Sequence, residues 1–228
     1  MKTPDSKSPT HSRLLGVCIA LCGLLASVAG GAETRPVSNI LVLGDSLAAG
    51  SGVAREDAFP ALLQRKIDSQ KLPFKVTNAG VSGDTTAGGL RRIDWMLKRK
   101  IDVLLLELGG NDGLRGIDTK TTQANLQAII DKAKAKYPTI RIVIAGMQMP
   151  PNMGEEYTER FQNIFSEIAK ANKAALIPFL LEGIGADPRY NQPDLIHPTP
   201  EGHKIVAATV WKTLGPILTG DGKSDASE

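Results

Sequence analysis

Ile40-Leu41-Val42-Leu43-Gly44-Asp45-Ser46-Leu47 passes from four consecutive apolar residues through a glycine to a carboxylate and a hydroxyl. A strand with one wet face alternates apolar and polar residues, whereas an unbroken apolar run suits a strand covered on both faces. Gly44 stops the run, and Ser46 is a residue type that caps helix starts. The stretch reads as a buried strand of a parallel sheet and the turn that leaves it.

The same alternation continues along the chain. A helix over 57–69 places Leu62, Leu63 and Ile67 on one face, and a short strand over 74–77 ends at Asn78-Ala79-Gly80. A helix over 86–100 carries Leu90, Ile93 and Leu97, and a strand over 103–108 leads into Gly109-Gly110-Asn111-Asp112. A helix over 122–136, a strand over 140–145, a helix over 155–173, a strand over 175–179 and a helix over 201–218 follow. Strands separated by helices of this length imply an α/β fold, a five-stranded parallel sheet covered on both faces. Ligands of such sheets lie beyond the carboxyl ends of the strands. Here those ends hold small, turn-forming and reactive residues.

Composition narrows the chemistry. The 228 residues are 42% apolar and 22% charged, which excludes a disordered chain. Lys+Arg 27 against Asp+Glu 24, with 4% aromatics, offers neither the charge nor the stacking platforms of a nucleic-acid binder. Lys2, Lys7 and Arg13 precede an almost uncharged stretch over 14–29 that ends in small residues. That is the pattern of a secretory signal peptide, cut after Ala29 or as late as Ala32. The competing reading is an uncleaved anchor, for which the stretch is slightly short. Cleavage removes Cys18 and Cys22, the only cysteines, together with His11. A thiol-free mature domain over 30–218, with a polar tail over 219–228 expected to fray, suits an oxidising periplasmic or extracellular compartment. It also excludes cysteine nucleophiles and Cys-ligated metals.

Ser46 alone reads as an N-cap. A nucleophile needs a base, a group that orients the base, and oxyanion donors, and each has a candidate. Asp194-Leu195-Ile196-His197-Pro198 puts a carboxylate three residues before an imidazole. Asp194 can hold Nδ1 so that Nε2 takes the serine proton, although the segment alone is equally a turn with a solvated ring. His203 reads as a packing residue and Asp112 as a structural one. Gly80, free of a Cβ, and Asn111, reaching forward after two glycines, can join the Ser46 N–H as oxyanion donors. Singly they are a turn residue and a cap.

Leu-Val-Leu-Gly-Asp-Ser-Leu (41–47), Asn-Ala-Gly-Val-Ser-Gly-Asp-Thr (78–85), Glu-Leu-Gly-Gly-Asn-Asp-Gly-Leu-Arg-Gly (107–116), Pro-Pro-Asn-Met-Gly (150–154) and Asp-Leu-Ile-His-Pro (194–198) occur in that order. Together they resemble the SGNH, or GDSL, hydrolase family, and within it the bacterial thioesterases, lysophospholipases and arylesterases. The resemblance implies a three-layer α/β/α sandwich of flavodoxin-like order and a serine ester hydrolase with no metal or other cofactor. It implies Ser46 as nucleophile, Asp194 and His197 completing the triad, and Gly80 and Asn111 as oxyanion donors. The acyl group of a small ester or thioester then lies along 111–116 and 147–154, where Met147, Met149 and Met153 cluster and Met149 is a substrate-binding candidate. After signal cleavage the protein is expected to be a monomer that neither inserts into a membrane nor binds nucleic acid. A carbohydrate O-deacetylase on the same fold and a non-catalytic binding module of flavodoxin-like form are the alternatives. Flexible apolar methionines favour acyl chains over the first.

Overall fold

The computed structural model describes residues 36–220, so the expected signal peptide over 1–29 and nearly all of the tail lie outside the described residues. Five parallel strands form one sheet in the order β2-β1-β3-β4-β5: β1 Ser38–Gly44, β2 Phe74–Gly80, β3 Val103–Glu107, β4 Arg141–Ala145 and β5 Ala175–Ile177. The helices are α1 Ser46–Ala49, α2 Phe59–Ser69, α3 Thr86–Met96, α4 Gly110–Leu114, α5 Thr119–Lys136, α6 Glu155–Asn172 and α7 Pro200–Thr219. α2 packs on α7, while α5 packs between α3 and α6. This is the three-layer α/β/α arrangement of flavodoxin-like strand order, with its switch point between β1 and β3.

Burial explains the continuous apolar runs. Ile40 to Leu43 and the whole of β3 are buried, because helices cover both faces of the central strands. Phe161 and Phe165 on α6 meet edge to face in the same core.

Several boundaries differ from the sequence expectation, each for a local reason. α2 starts at Phe59 because Pro60, lacking an N–H, belongs in a first turn. α3 stops at Met96, since Ile101 must already be in the core and the Asp102 carboxylate accepts the Asn39 N–H at 2.8 Å to seat β3 beside β1. β5 ends at Ile177 because Pro178 has no N–H to continue a ladder. β2 runs on to Gly80, paired throughout with β1. The short helices α1 and α4 escaped the periodicity altogether, being too brief to show one.

His203 joins α7 to α2. Its Nδ1 accepts the Phe59 N–H at 3.3 Å, its ring stacks on Phe59, and only 1% of it is exposed. The packing role expected of it is what the structure shows. Burial lowers its pKa to about 4, with His197 adding to the depression and Asp57 opposing it. The unfolded chain therefore takes up a proton near pH 6.5 that the folded chain refuses until about pH 4. Stability is full above the unfolded value and is lost as pH falls through this window. The melting temperature should decline from about pH 6.5 to 4, and His203→Leu should flatten that decline in thermal scans.

Candidate active site

The site is built at one rung of the sheet. Gly44, the last residue of β1, pairs with Gly80 on β2 and with Glu107 on β3, so the loops leaving the three strands start level. A Cβ on Gly44 would lie 2.2 Å from Glu107 Oε2 and 2.6 Å from Ala48 Cβ, which only glycine avoids. The chain then turns sharply into α1. Asp45 caps that helix, with Oδ1 accepting the Leu47 N–H at 3.0 Å. Glu107 Oε2 accepts the N–H groups of Asp45, at 3.1 Å, and Ala48, at 3.2 Å. Ser46 sits between these two anchors with its side chain at the edge of solvent.

Ser46 Oγ is 2.9 Å from His197 Nε2, and His197 Nδ1 is 2.7 Å from Asp194 Oδ2. Asp194 Oδ1 accepts the N–H groups of Ile196 at 2.9 Å and His197 at 3.0 Å, closing the segment into a tight turn. Leu195 takes a left-handed conformation, φ 60, to allow it. The His197 N–H holds the Asp194 carboxyl at a pKa of about 2, helped by the His197 ring and the Ile196 N–H. An ionised Asp194 accepts a proton-bearing Nδ1, leaving the Nε2 lone pair facing the serine hydroxyl. Gln192 braces the turn, its Nε2 donating to Ser51 O at 2.7 Å and Pro198 O at 3.1 Å.

Asn111 stands on α4, where Gly109 at φ 119 turns the chain out of β3. One amide hydrogen goes to Asp45 Oδ2 at 3.0 Å, which orients the group and leaves the second hydrogen free to point elsewhere. Asp112, buried beside it, accepts the Thr86 N–H at 2.8 Å and the Thr86 hydroxyl. It ties the start of α3 to α4, the structural part expected of it.

Two expectations need correction. The Gly80 N–H, expected as an oxyanion donor, donates instead to Asn78 Oδ1 at 2.9 Å. A Cβ on Gly80 would lie 2.2 Å from Ala49 N, so this glycine is there to let β2 touch α1. Three residues on, Gly83 is exposed with φ 77, its carbonyl accepts from the Arg115 guanidinium at 2.9 Å, and its N–H has no acceptor among the described residues. The available signal was Ser82-Gly83-Asp84, a glycine flanked by turn formers beyond the strand end. The expected methionine cluster also separates. Met147 is in the core and Met153 lies on a 3₁₀ turn, while Met149 packs over α4 so closely that a Cβ on Gly113 would lie 2.3 Å from its sulfur.

Residues 42–205 match the GDSL-like lipase/acylhydrolase family. The chain belongs to it. It is 39% identical to the esterase TesA of Pseudomonas aeruginosa over 206 residues, covering 90% of this chain and 98% of the relative. It is 37% identical to thioesterase 1/protease 1/lysophospholipase L1 of Escherichia coli over 183 residues, covering 80% and 86% of the two chains. The crystal structure of the psychrotrophic esterase EstA from Pseudoalteromonas sp., inhibited by monoethylphosphonate, superposes with a TM-score of 0.75 at 32% identity, covering 80% of this chain and 99% of that one. As a member of this family the protein is a carboxylic ester hydrolase.

The carboxyls beneath Ser46 differ from Asp194. Glu107 is fully buried and its Oε1 has no hydrogen-bond partner. Burial, and then the charge of Asp45, push its pKa well above the carboxylate range; Asp45 is also raised by burial, against the Leu47 N–H. A carboxyl whose pKa folding raises weighs against the native state increasingly as pH climbs above its unfolded value of about 4.3. Glu107→Gln keeps an acceptor for the Asp45 and Ala48 N–H groups and cannot ionise. Its melting temperature relative to the parent should rise as pH increases from about 5 to about 9 in paired scans.

Proposed function

We propose that Ser46 is the nucleophile of this ester hydrolase, His197 its base and Asp194 the group that orients the base. The observation that carries this reading is the continuous chain from Ser46 Oγ to His197 Nε2 and from Nδ1 to Asp194. Ser46 Oγ attacks the acyl carbonyl as its proton passes to Nε2, and the imidazolium is stabilised by Asp194. Collapse of the tetrahedral intermediate breaks the ester or thioester bond, and Nε2–H protonates the departing alcohol or thiol. Water, deprotonated by His197, then attacks the acyl-Ser46 and frees the acid.

The oxyanion donors in this reading are the N–H groups of Ser46 and Gly83 and the remaining amide hydrogen of Asn111. The Asp45, Leu47 and Ala48 N–H groups all have acceptors, whereas the Ser46 N–H has none among the described residues. Such donors gain more from the developing oxyanion than from a neutral carbonyl, so they act mainly on turnover.

The substrate class is an ester or thioester with an apolar acyl group. Among the described residues six large apolar side chains are exposed, and four of them are neighbours in sequence of the site: Val81, Leu114, Leu195 and Ile196. Met149 over α4 adds a flexible apolar wall. A deacetylase for carbohydrates would favour a polar surround, and a binding module has no use for a base aligned on a hydroxyl. The basic and apolar start of the chain supports export, with the mature protein, a monomer in this reading, acting in the periplasm or outside the cell. No helix among the described residues is long and apolar enough to cross a membrane.

Ser46→Ala should lower kcat by about 10⁴-fold or more in purified protein and abolish covalent labelling by an alkyl phosphonate, seen as a mass shift. Turnover that survives Ser46→Ala overturns the assignment. Asn111→Ala should lower kcat about 10²- to 10³-fold with a much smaller change in KM. Across p-nitrophenyl esters from acetyl to dodecanoyl, kcat/KM should rise beyond acetate; a maximum at acetate favours the deacetylase.

A further inference from the structure

Arg92 lies on α3, outside the hydrogen-bonded chain that ends at Ser46, yet every donor face of its guanidinium is turned toward the site. Nη2 donates to Gly44 O at 2.9 Å, Nη1 to Ala79 O at 2.7 Å, and Nε to Asp84 Oδ2 at 2.7 Å. These acceptors lie on three separate pieces of the site. Gly44 is the last residue of β1, two before Ser46. Ala79 is next to last in β2. Asp84 follows Gly83 directly.

We propose that Arg92 is a positioning residue that sets the separation between the Ser46 turn and the Gly83 N–H, and so the width of the oxyanion site. The inference rests on the reading of Ser46 as nucleophile.

The sheet alone cannot do this. Its last rungs are the pairing of Gly44 with Gly80 and the Val81 N–H to Gly44 O bond at 3.0 Å. Beyond them the two chains diverge, one into α1 and the other into the loop over 81–85. A planar fork with fixed donor directions can hold two carbonyls and a carboxylate at set distances, where an ammonium on a flexible stem cannot. The ion pair is sheltered, with 19% of the Arg92 side chain and 11% of the Asp84 side chain exposed, so water competes weakly.

The surroundings are shaped to admit this clamp. Asp84 Oδ1 also accepts the Thr85 N–H at 3.1 Å, fixing the carboxylate over the first turn of α3. A Cβ on Gly88 would lie 1.6 Å from that oxygen, so the helix lacks a side chain where the carboxylate must come close. From the other side Arg115 holds Gly83 O at 2.9 Å. Gly83 is thus held through its carbonyl and through the residue after it, while its N–H has no acceptor among the described residues.

A group that acts through geometry changes turnover more than affinity, because a displaced donor misses the oxyanion while the acyl chain still binds. Misplacement of about 1 Å can cost about 10²-fold in rate. Arg92→Met should lower kcat between about tenfold and 10²-fold, with KM changing less than about threefold, at a temperature where melting curves show the variant folded. Arg92→Lys should recover only part of the loss. Millimolar guanidinium added to Arg92→Ala should raise kcat along a saturating curve that sodium chloride of equal ionic strength does not reproduce.

A folded Arg92→Met with the parent's kcat overturns the proposal, as does a loss confined to melting temperature. If Arg92→Met does not fold, the lysine variant and the guanidinium titration decide: parental kcat in the first or no rescue in the second rejects the clamp. Ser46→Ala assayed in parallel separates the two readings. Activity surviving there rejects the nucleophile, whereas an inactive Ser46→Ala beside a fully active Arg92→Met rejects Arg92 alone.

Discussion

Gly44 is hemmed in on both sides of the last rung of the sheet, with Gly80 opposite it on β2 and Glu107 opposite it on β3. The sharp turn into α1 starts from that residue because the turn folds back over the Glu107 carboxyl, and no side chain fits between them. The whole site depends on the height of this rung. It places Ser46 level with the loop that carries Gly83 and with the helix that carries Asn111. It also brings the Glu107 oxygen within reach of two N–H groups that flank Ser46. A one-residue slip of β1 against either neighbour would move Gly44 off this rung and part these groups together.

Four carboxyls near the site do different work because their surroundings differ. Asp194 is wet on one side and surrounded by N–H donors, so it stays ionised and suits an imidazolium partner. Asp45 is buried but accepts from Leu47 and Asn111, and it directs the amide rather than the base. Glu107 has burial without enough donors, and its pKa is pushed well above the usual carboxylate range. Asp84 is spoken for by a guanidinium.

Much of this was legible in the chain itself. Residues 40–43 announce a strand covered on both faces, and Asp194 and His197 are close enough in sequence for a turn to pair them. Ser46 and Asn111 follow glycines at strand ends, where the backbone turns polar side chains out of the sheet. Gly80 misled because a glycine at a strand end suits a donor turn and a tight packing contact equally well; only the approach of Ala49 tells them apart. Met147 misled in a similar way, since its sequence neighbours Met149 and Met153 say nothing of which one the core takes. Arg92 and Glu107 carry no local signal. Their most remote partners lie 48 and 62 residues away along the chain, so their full parts exist only once the sheet has formed.

Ser46 and His197, in contact in the fold, come from opposite ends of the domain, 151 positions apart. Translation therefore delivers the serine turn long before the imidazole that can take its proton. Early strands can pair as they emerge, but a chain in that condition leaves the Ser46 hydroxyl without its imidazole partner. That contact forms only when the C-terminal loop docks, held by Gln192 against Ser51 and by the bridge between Asn191 and Pro198. A truncated or clipped copy that loses the His197 loop and the helix after it keeps the serine turn but not that partner.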